Sequence, residues 1–173
     1  TVTRVGSSAP VMAPSTVPLA AGNPTELELG TLPVGSYVVT VEAAVAAVAA
    51  VWQTTGFGAG SDFAWFTSAP SLDGPSLVAV PSGPSPMLQA SNAGDAPATV
   101  TLHAVDGGTG DRTLTVPAGG SASVSLLGAG VWSVDPGGDG DVHAQVTYAG
   151  PGALAGFALW PSDAAAAPVR VYP

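Results

Sequence analysis

An internal repeat constrains the fold of this chain most, because a sequence that contains one unit twice should fold as two similar units. GFGAGSDFAWFTSA from Gly56 resembles GPGALAGFALWPSD from Gly150, which begins 94 residues later. Three other blocks match in the same order, at offsets between 91 and 98 residues. TVTRV from Thr1 resembles TVTLHAV from Thr99, and the segment around Gly22 resembles the segment around Gly119. PSLVAVP from Pro75 resembles APVRVYP from Ala167. The collinear order predicts a repeat of about 95 residues.

Each unit is rich in turn residues, which keeps its strands short. The 173 residues include 23 glycines and 17 prolines, while valine and threonine, which favour strands, fill the segments between them. In ATVTLHAV, Val100, Leu102 and Ala104 alternate with Thr99, Thr101 and His103, as in a half-buried strand. The second copy divides into seven such segments: PMLQASN, ATVTLHAV, RTLTV, SASVSLL, GVWSV, DVHAQVTYA and LAGFALW.

Seven short strands in one unit are typical of a β-sandwich. The predicted fold is therefore all-β, with two tandem immunoglobulin-like or fibronectin-like β-sandwich units, and a small β-barrel is the alternative. Residues 1–76 form the first unit, which is truncated at its N-terminus, and residues 77–173 form the second. The second unit ends in the first strand of a following repeat, so the chain is expected to be part of a longer array.

The segment VEAAVAAVAAVW, Val41 to Trp52, has the valine spacing of a helix. It is shorter than the roughly 18 apolar residues that suggest a membrane span. Its counterpart in the second copy contains Pro136 and three glycines, which break a helix, and then alternates with a period of two. We therefore expect a turn followed by a strand, with Val48, Ala50 and Trp52 facing inward.

Charge excludes several classes of partner. The chain contains twelve acidic residues and three arginines. Its net charge of −9 repels a phosphate backbone or an anionic lipid surface. Nucleic-acid binding and membrane insertion are therefore not expected. The absence of cysteine excludes thiolate catalysis and cysteine-ligated metals.

One acidic loop, DPGGDGD, has the composition of a metal site. Asp135, Asp139 and Asp141 could supply oxygen ligands to calcium, although the loop lacks the EF-hand pattern and is more simply a solvated turn. The histidines, His103 and His143, lie on the polar faces of strands, and no G-x-S-x-G motif is present. We expect no enzymatic activity and no cofactor other than calcium; a hydrolase is the third alternative.

Two aromatic segments are apolar on both faces of their strands. They are FAWF, with Trp65 and Phe66, and FALW, which ends at Trp160. A sandwich strand needs only one apolar face for its core, so the other face should contact something else. The side chains of Trp65, Phe66 and Trp160 are therefore predicted to form either a junction between repeats or an aromatic surface for a ligand.

The motifs NAGDAPATVTL from Asn92, VPAGG from Val116 and VAAVAAVWQ resemble a family of large exported proteins of unknown function in actinobacteria, built from Ala/Gly/Val-rich β-repeats. The resemblance implies a secreted or cell-envelope location and supplies no catalytic residues. The predicted function is a non-enzymatic structural or interaction module, whose partner is a protein or a cell-surface glycan. The alternative is a carbohydrate-binding module, with or without calcium.

Overall fold

The computed structural model describes residues 1–105, 110–138 and 140–162. These residues contain no helix and form thirteen strands in four sheets. The strands are β1 (Val2–Arg4), β2 (Tyr37–Val39), β3 (Ala50–Thr54), β4 (Phe63–Thr67), β5 (Ser71–Leu72), β6 (Ser76–Val80), β7 (Met87–Asn92), β8 (Ala98–Ala104), β9 (Arg112–Val116), β10 (Ser121–Ser125), β11 (Gly130–Gly137), β12 (Val142–Gly150) and β13 (Ala153–Ala158). The predicted all-β class is confirmed.

One core lies between a five-stranded and a four-stranded sheet. The first has the order β10-β7-β12-β13 with β5 paired to β12, and the second has the order β6-β11-β8-β9. All the buried hydrophobic residues of the main cluster lie between Leu72 and Leu159. Alternate residues of β7, β8 and β12 enter this core, as in a β-sandwich.

The seven strands predicted for the second copy are confirmed as β7 to β13. Val100 and Leu102 are buried on β8, as are Val142, Ala144 and Val146 on β12. One detail is wrong: Asp135 and Pro136, expected in a loop, continue β11 and pair with β8. Pro136 is tolerated there because the pairing with β6 ends at Val134, so no ladder on that side needs its missing N–H.

The first half is built differently from the second. It contains two separate antiparallel pairs, β1 with β2 and β3 with β4, and long segments without strands between them. A tandem pair of sandwiches is thus not confirmed. The predicted boundary between residues 76 and 77 falls inside β6, and the division into two units stays a prediction. The block APVRVYP lies outside the described residues.

The segment Val41 to Trp52 is not helical, and its last residues enter β3. The inward orientation expected for Val48, Ala50 and Trp52 is wrong: all three are exposed, Val48 to 97%. The reason is that Trp52 pairs with Trp65 on the outer face of the β3–β4 hairpin, which no other sheet of the described residues covers. In the part of the chain that the structure describes, no helix is long and apolar enough to cross a membrane.

Candidate functional site

An exposed aromatic cluster lies on one face of the β3–β4 hairpin. The register pairs Trp52 with Trp65 and Thr54 with Phe63, so all four side chains share this face. Trp52 is 44% exposed and Trp65 is 60% exposed. Phe57, in the connecting loop, places its ring centroid 6.4 Å from that of Trp52. We refer to Trp52, Phe57, Phe63 and Trp65 as the aromatic face.

The opposite face of the hairpin contacts β13, at the edge of the five-stranded sheet. The ring of Phe66 lies so close to Gly156 that a β-carbon built there would be 2.5 Å from it. The Asp62 carboxylate accepts hydrogen bonds from the backbone N–H groups of Leu154 and Phe63, at 2.9 and 2.8 Å. These bonds, that of Leu154 first, lower the pKa of Asp62. The hairpin is thus fixed to the sandwich by one ring and one carboxylate.

The structure separates the three aromatic residues that the sequence grouped together. Trp65 lies on the aromatic face, whereas Phe66 is half-buried at the contact with β13. Trp160 follows β13 and is 69% exposed. The sequence analysis omitted Trp52 from this surface because it assigned Trp52 to a core.

The structure places Asp135 and Asp141 of the predicted calcium site in or next to strands of different sheets. Asp135 lies on β11 in the four-stranded sheet, and Asp141 precedes β12 in the five-stranded sheet. Asp139 lies outside the described residues. Among residues 1–105, 110–138 and 140–162, no group of three or more His, Cys, Asp or Glu could hold a metal ion. Calcium binding stays a prediction.

Asp141 instead belongs to a polar cluster that the sequence did not reveal. Its Oδ1 accepts a hydrogen bond from the Ser71 hydroxyl at 2.5 Å and lies 3.3 Å from Nε2 of His143. Nδ1 of His143 lies 2.9 Å from the carbonyl oxygen of Ala69. Ser71 and His143 are opposite each other because β5 pairs with β12. These strands are far apart in the chain, so no local sequence pattern predicts their pairing.

This cluster is not arranged as a catalytic triad. In a triad the imidazole lies between the hydroxyl and the carboxylate and removes the proton of the hydroxyl. Here the carboxylate lies between the other two groups, and the imidazole contacts Asp141 and Ala69 rather than Ser71. The cluster therefore fastens β5 and the preceding residues to β12.

Replacing Ser71 with alanine is expected to destabilise the fold more at neutral than at acidic pH. The hydrogen bond from Ser71 is the main cause that lowers the pKa of Asp141 in the folded state. The hydrogen bond therefore stabilises the fold fully above the unfolded pKa of aspartate, about 3.9. This stabilisation is lost as the pH falls through the lower folded pKa. Urea unfolding should show a loss of about 0.5 to 1 kcal/mol at about pH 6 and less at about pH 2. Ser68→Ala, at an exposed serine, is the control; equal losses at both pH values would contradict the prediction.

Comparison with protein families gives a match over the N-terminal part of the chain. A model described as a family of unknown function, DUF5719, matches residues 1–127, almost three-quarters of the chain. The chain belongs to this DUF5719 family. Comparison with curated proteins and with solved structures gives no significant match. The DUF5719 match contains the aromatic face and ends after β10, before β11 begins.

A shallow apolar groove of about 190 Å³ lies elsewhere on the DUF5719 chain, beside Tyr148. The Tyr148 hydroxyl donates to the carbonyl oxygen of Pro81 at 3.0 Å, and burial raises the pKa of this phenol. Gly83 approaches the ring so closely that a β-carbon built there would be 2.6 Å from it. Among the described residues, Tyr148 is the one titratable residue that lines the groove. The groove therefore offers packing surface and no pair of groups for acid–base chemistry.

Proposed function

We propose that the chain is a non-enzymatic structural and interaction module of a secreted or cell-envelope protein. It consists of two related immunoglobulin-like repeats, residues 1–76 and residues 77–173, and the second contains most of the sandwich of residues 71–159. The observation that carries the proposal is the agreement between strand pairs of the two halves. A surface location is supported by the resemblance to exported repeat proteins.

The pairing of β1 with β2 corresponds to that of β8 with β11. In the first half Val2 pairs with Val39 and Arg4 with Tyr37; in the second, Val100 pairs with Pro136 and Leu102 with Val134. Adding 98 to the β1 numbers and 97 to the β2 numbers converts one register into the other. The 98-residue offset also aligns TVTRV with TVTLHAV in the sequence, which supports a common origin of β1 and β8.

The hairpin β3–β4 has the same pairing pattern as β12–β13, although the sequence match aligns Phe157 with Phe63 and the register aligns it with Trp65. Trp52 pairs with Trp65, and Val146, 94 residues after Trp52, pairs with Phe157, 92 residues after Trp65. The two-residue difference keeps every side chain on its original face, because side chains alternate with a period of two. Each hairpin also turns at a glycine-rich segment of the sequence match, Gly56 to Gly60 and Gly150 to Gly152.

The immunoglobulin-like assignment is supported by the four central strands of the sandwich. In that fold, strand B pairs with E in one sheet and C with F in the other. Here β7 pairs with β10 and β8 with β11, in the same chain order. The sandwich departs from the pattern at β12, which joins β7 rather than β11.

Such a module acts by holding its strand edges and loops at a distance from the cell surface. The contact of Phe66 and Asp62 with β13 fixes the first repeat against the second, so that neighbouring units hold a defined relation.

The test is protease treatment of intact cells of the organism that makes the protein. A surface module should be cleaved by a protease added outside the cell, whereas an internal marker protein survives. A protein that resists digestion until the cells are lysed would contradict the proposed location.

A second candidate function is carbohydrate binding, and the exposure of Trp65 and Trp160 favours it. Exposed aromatic rings can stack on the apolar faces of sugars. Glycan-array binding that is lost in Trp65→Ala or Trp160→Ala would support this function, and a chain that binds no glycan would contradict it.

A further inference from the structure

We propose that residues 160–162 form a strap that covers the edge of β6 and so prevents β6 from pairing with β6 of a second copy of the chain. A chain whose strap is opened should therefore form a two-fold dimer through this strand. The proposal concerns the sandwich alone and does not depend on the repeat relation between the two halves of the chain.

The strap crosses from the five-stranded sheet to the four-stranded sheet. Just before it, the N–H of Leu159 donates to the carbonyl oxygen of Ala144 on β12, and the side chain of Leu159 is buried in the core. At the other end of the strap, Oγ of Ser162 accepts a hydrogen bond from the N–H of Leu77 at 2.8 Å. The N–H of Ser162 donates to Oγ of Ser76 at 3.2 Å. These reciprocal bonds hold the strap against the first two residues of β6.

Strand β6 lies at an edge and lacks the residues that usually protect an edge from pairing. Within residues 1–105, 110–138 and 140–162, it pairs with β11 alone. Its sequence, SLVAV, contains no charged residue and no proline, whereas exposed edge strands commonly carry lysine, proline or a bulge. The bond of Leu77 to Ser162 indicates that the N–H groups of Leu77 and Ala79 point away from β11. The strap therefore protects the edge at Leu77.

The sequence of β6 is complementary to itself in an antiparallel pair. A two-fold axis at Val78 would place Leu77 of one copy opposite Ala79 of the other, at two symmetric positions. Both residues direct their N–H groups toward the edge, so this register would form hydrogen-bonded pairs. Both side chains are exposed, Leu77 to 64%, and a large side chain would lie beside a small one. The partner that fits an opened edge is therefore a second copy of this chain.

The net charge of the chain opposes this pairing and makes it sensitive to salt. Each copy carries a net charge of −9, and two copies repel each other. No residue of β6 is charged, so the repulsion acts over a longer range and weakens when salt screens it. Association through β6 should therefore become stronger as the salt concentration rises.

The experiment opens the strap with Ser162→Pro in the whole chain, because proline lacks both the hydroxyl and the N–H that contact β6. Amide hydrogen exchange of Leu77 should become at least about tenfold faster than in the wild type. Light scattering should give the mass of one chain for the wild type, and a mass that rises toward that of two chains for the variant as salt is added. Ser162→Thr keeps both contacting groups and is the matched control, which should behave as the wild type does.

Two more variants make the test specific. Adding Leu77→Asp to Ser162→Pro should restore the mass of one chain, because a charge on an edge strand prevents its pairing. Ser162→Ala removes the acceptor of the Leu77 N–H and leaves the N–H of residue 162 in place. It perturbs the backbone less than proline does and should change exchange and mass in the same direction, by smaller amounts.

Two results would overturn the proposal. One is unchanged exchange of Leu77 in both Ser162→Pro and Ser162→Ala, since Ser162 would then not cover the edge. The other is faster exchange of Leu77 in chains that keep the mass of one chain at high salt. A dimer that persists after Leu77→Asp would likewise assign the association to another surface. Protease treatment of cells is independent of all these results, so the strap and the proposed surface location fail separately.

Discussion

Replacing Asn92 with alanine is expected to lower the free energy of unfolding by about 3 kcal/mol. Asn92 is 2% exposed at the end of β7. Its Nδ2 donates to the carbonyl oxygens of Ala96, at 2.7 Å, and Val116, at 3.4 Å, and its Oδ1 accepts from the N–H of Gly94 at 2.9 Å. Alanine would leave these backbone groups without their partner, and a buried polar group without a partner costs about 1–3 kcal/mol.

Urea unfolding measures this change, with Asn23→Ala as the matched control. Asn23 is exposed, and its replacement should change the free energy of unfolding by less than about 0.5 kcal/mol. Asn92→Asp keeps the size of the side chain but points a second acceptor at two carbonyl oxygens, so it should destabilise the fold at neutral pH as well. A decrease in the free energy of unfolding below about 1 kcal/mol for Asn92→Ala would show that the Asn92 side chain does not stabilise the turn from Asn92 to Ala96.

Replacing Gly156 with alanine is expected to release the hairpin from the sandwich. The new β-carbon would lie 2.5 Å from Cε1 and 2.9 Å from Cδ1 of Phe66, and 3.2 Å from the carbonyl oxygen of Val146. The ring must therefore move out of its contact, and overpacking of this kind costs about 1–3 kcal/mol. Limited proteolysis should cut the hairpin faster, while the sandwich of residues 71–159 stays intact.

The double variant Gly156→Ala with Phe66→Ala isolates the contact. If the ring and the new methyl group clash, adding Gly156→Ala to the Phe66→Ala chain should have little further effect on hairpin cleavage. Gly74→Ala is the control, because a β-carbon there has no neighbour within 4 Å. Equal cleavage of the Gly156→Ala and wild-type hairpins would mean that Phe66 does not anchor the hairpin.

The second half of the fold could be predicted from sequence because its signals are local. Alternation in ATVTLHAV and DVHAQVTYA identifies β8 and β12 and the face that each buries. Turn residues such as those of PAGG separate the strands and limit their lengths. These segments lie in a complete sandwich, where every apolar face has a partner, so the inward orientation inferred from the pattern is the observed one.

In the first half, the side chains of β3 do not face a core as their alternation suggests. Whether one face of a strand is buried depends on which other elements cover that face. Trp52 corresponds to the inward-facing Val146 in the proposed repeat, yet no other sheet of the described residues covers its face, which meets solvent. The strand β3 lies where the proposed repeat predicts it, but a strand pattern cannot state whether its neighbours are present. The cluster of Ser71, Asp141 and His143 was missed for a related reason: it depends on the pairing of β5 with β12, across about 70 residues of chain.

The exposure of the aromatic face is tested most directly by oxidising the four tryptophans of the isolated chain and measuring the oxidation of each residue by mass spectrometry. Trp52, Trp65 and Trp160 are exposed, whereas Trp132 is 3% exposed inside the sandwich. We expect the first three to be oxidised rapidly and Trp132 to be protected until the protein unfolds. Protection of Trp52 and Trp65 equal to that of Trp132 would contradict this structure, because the first half would then possess a closed core of its own.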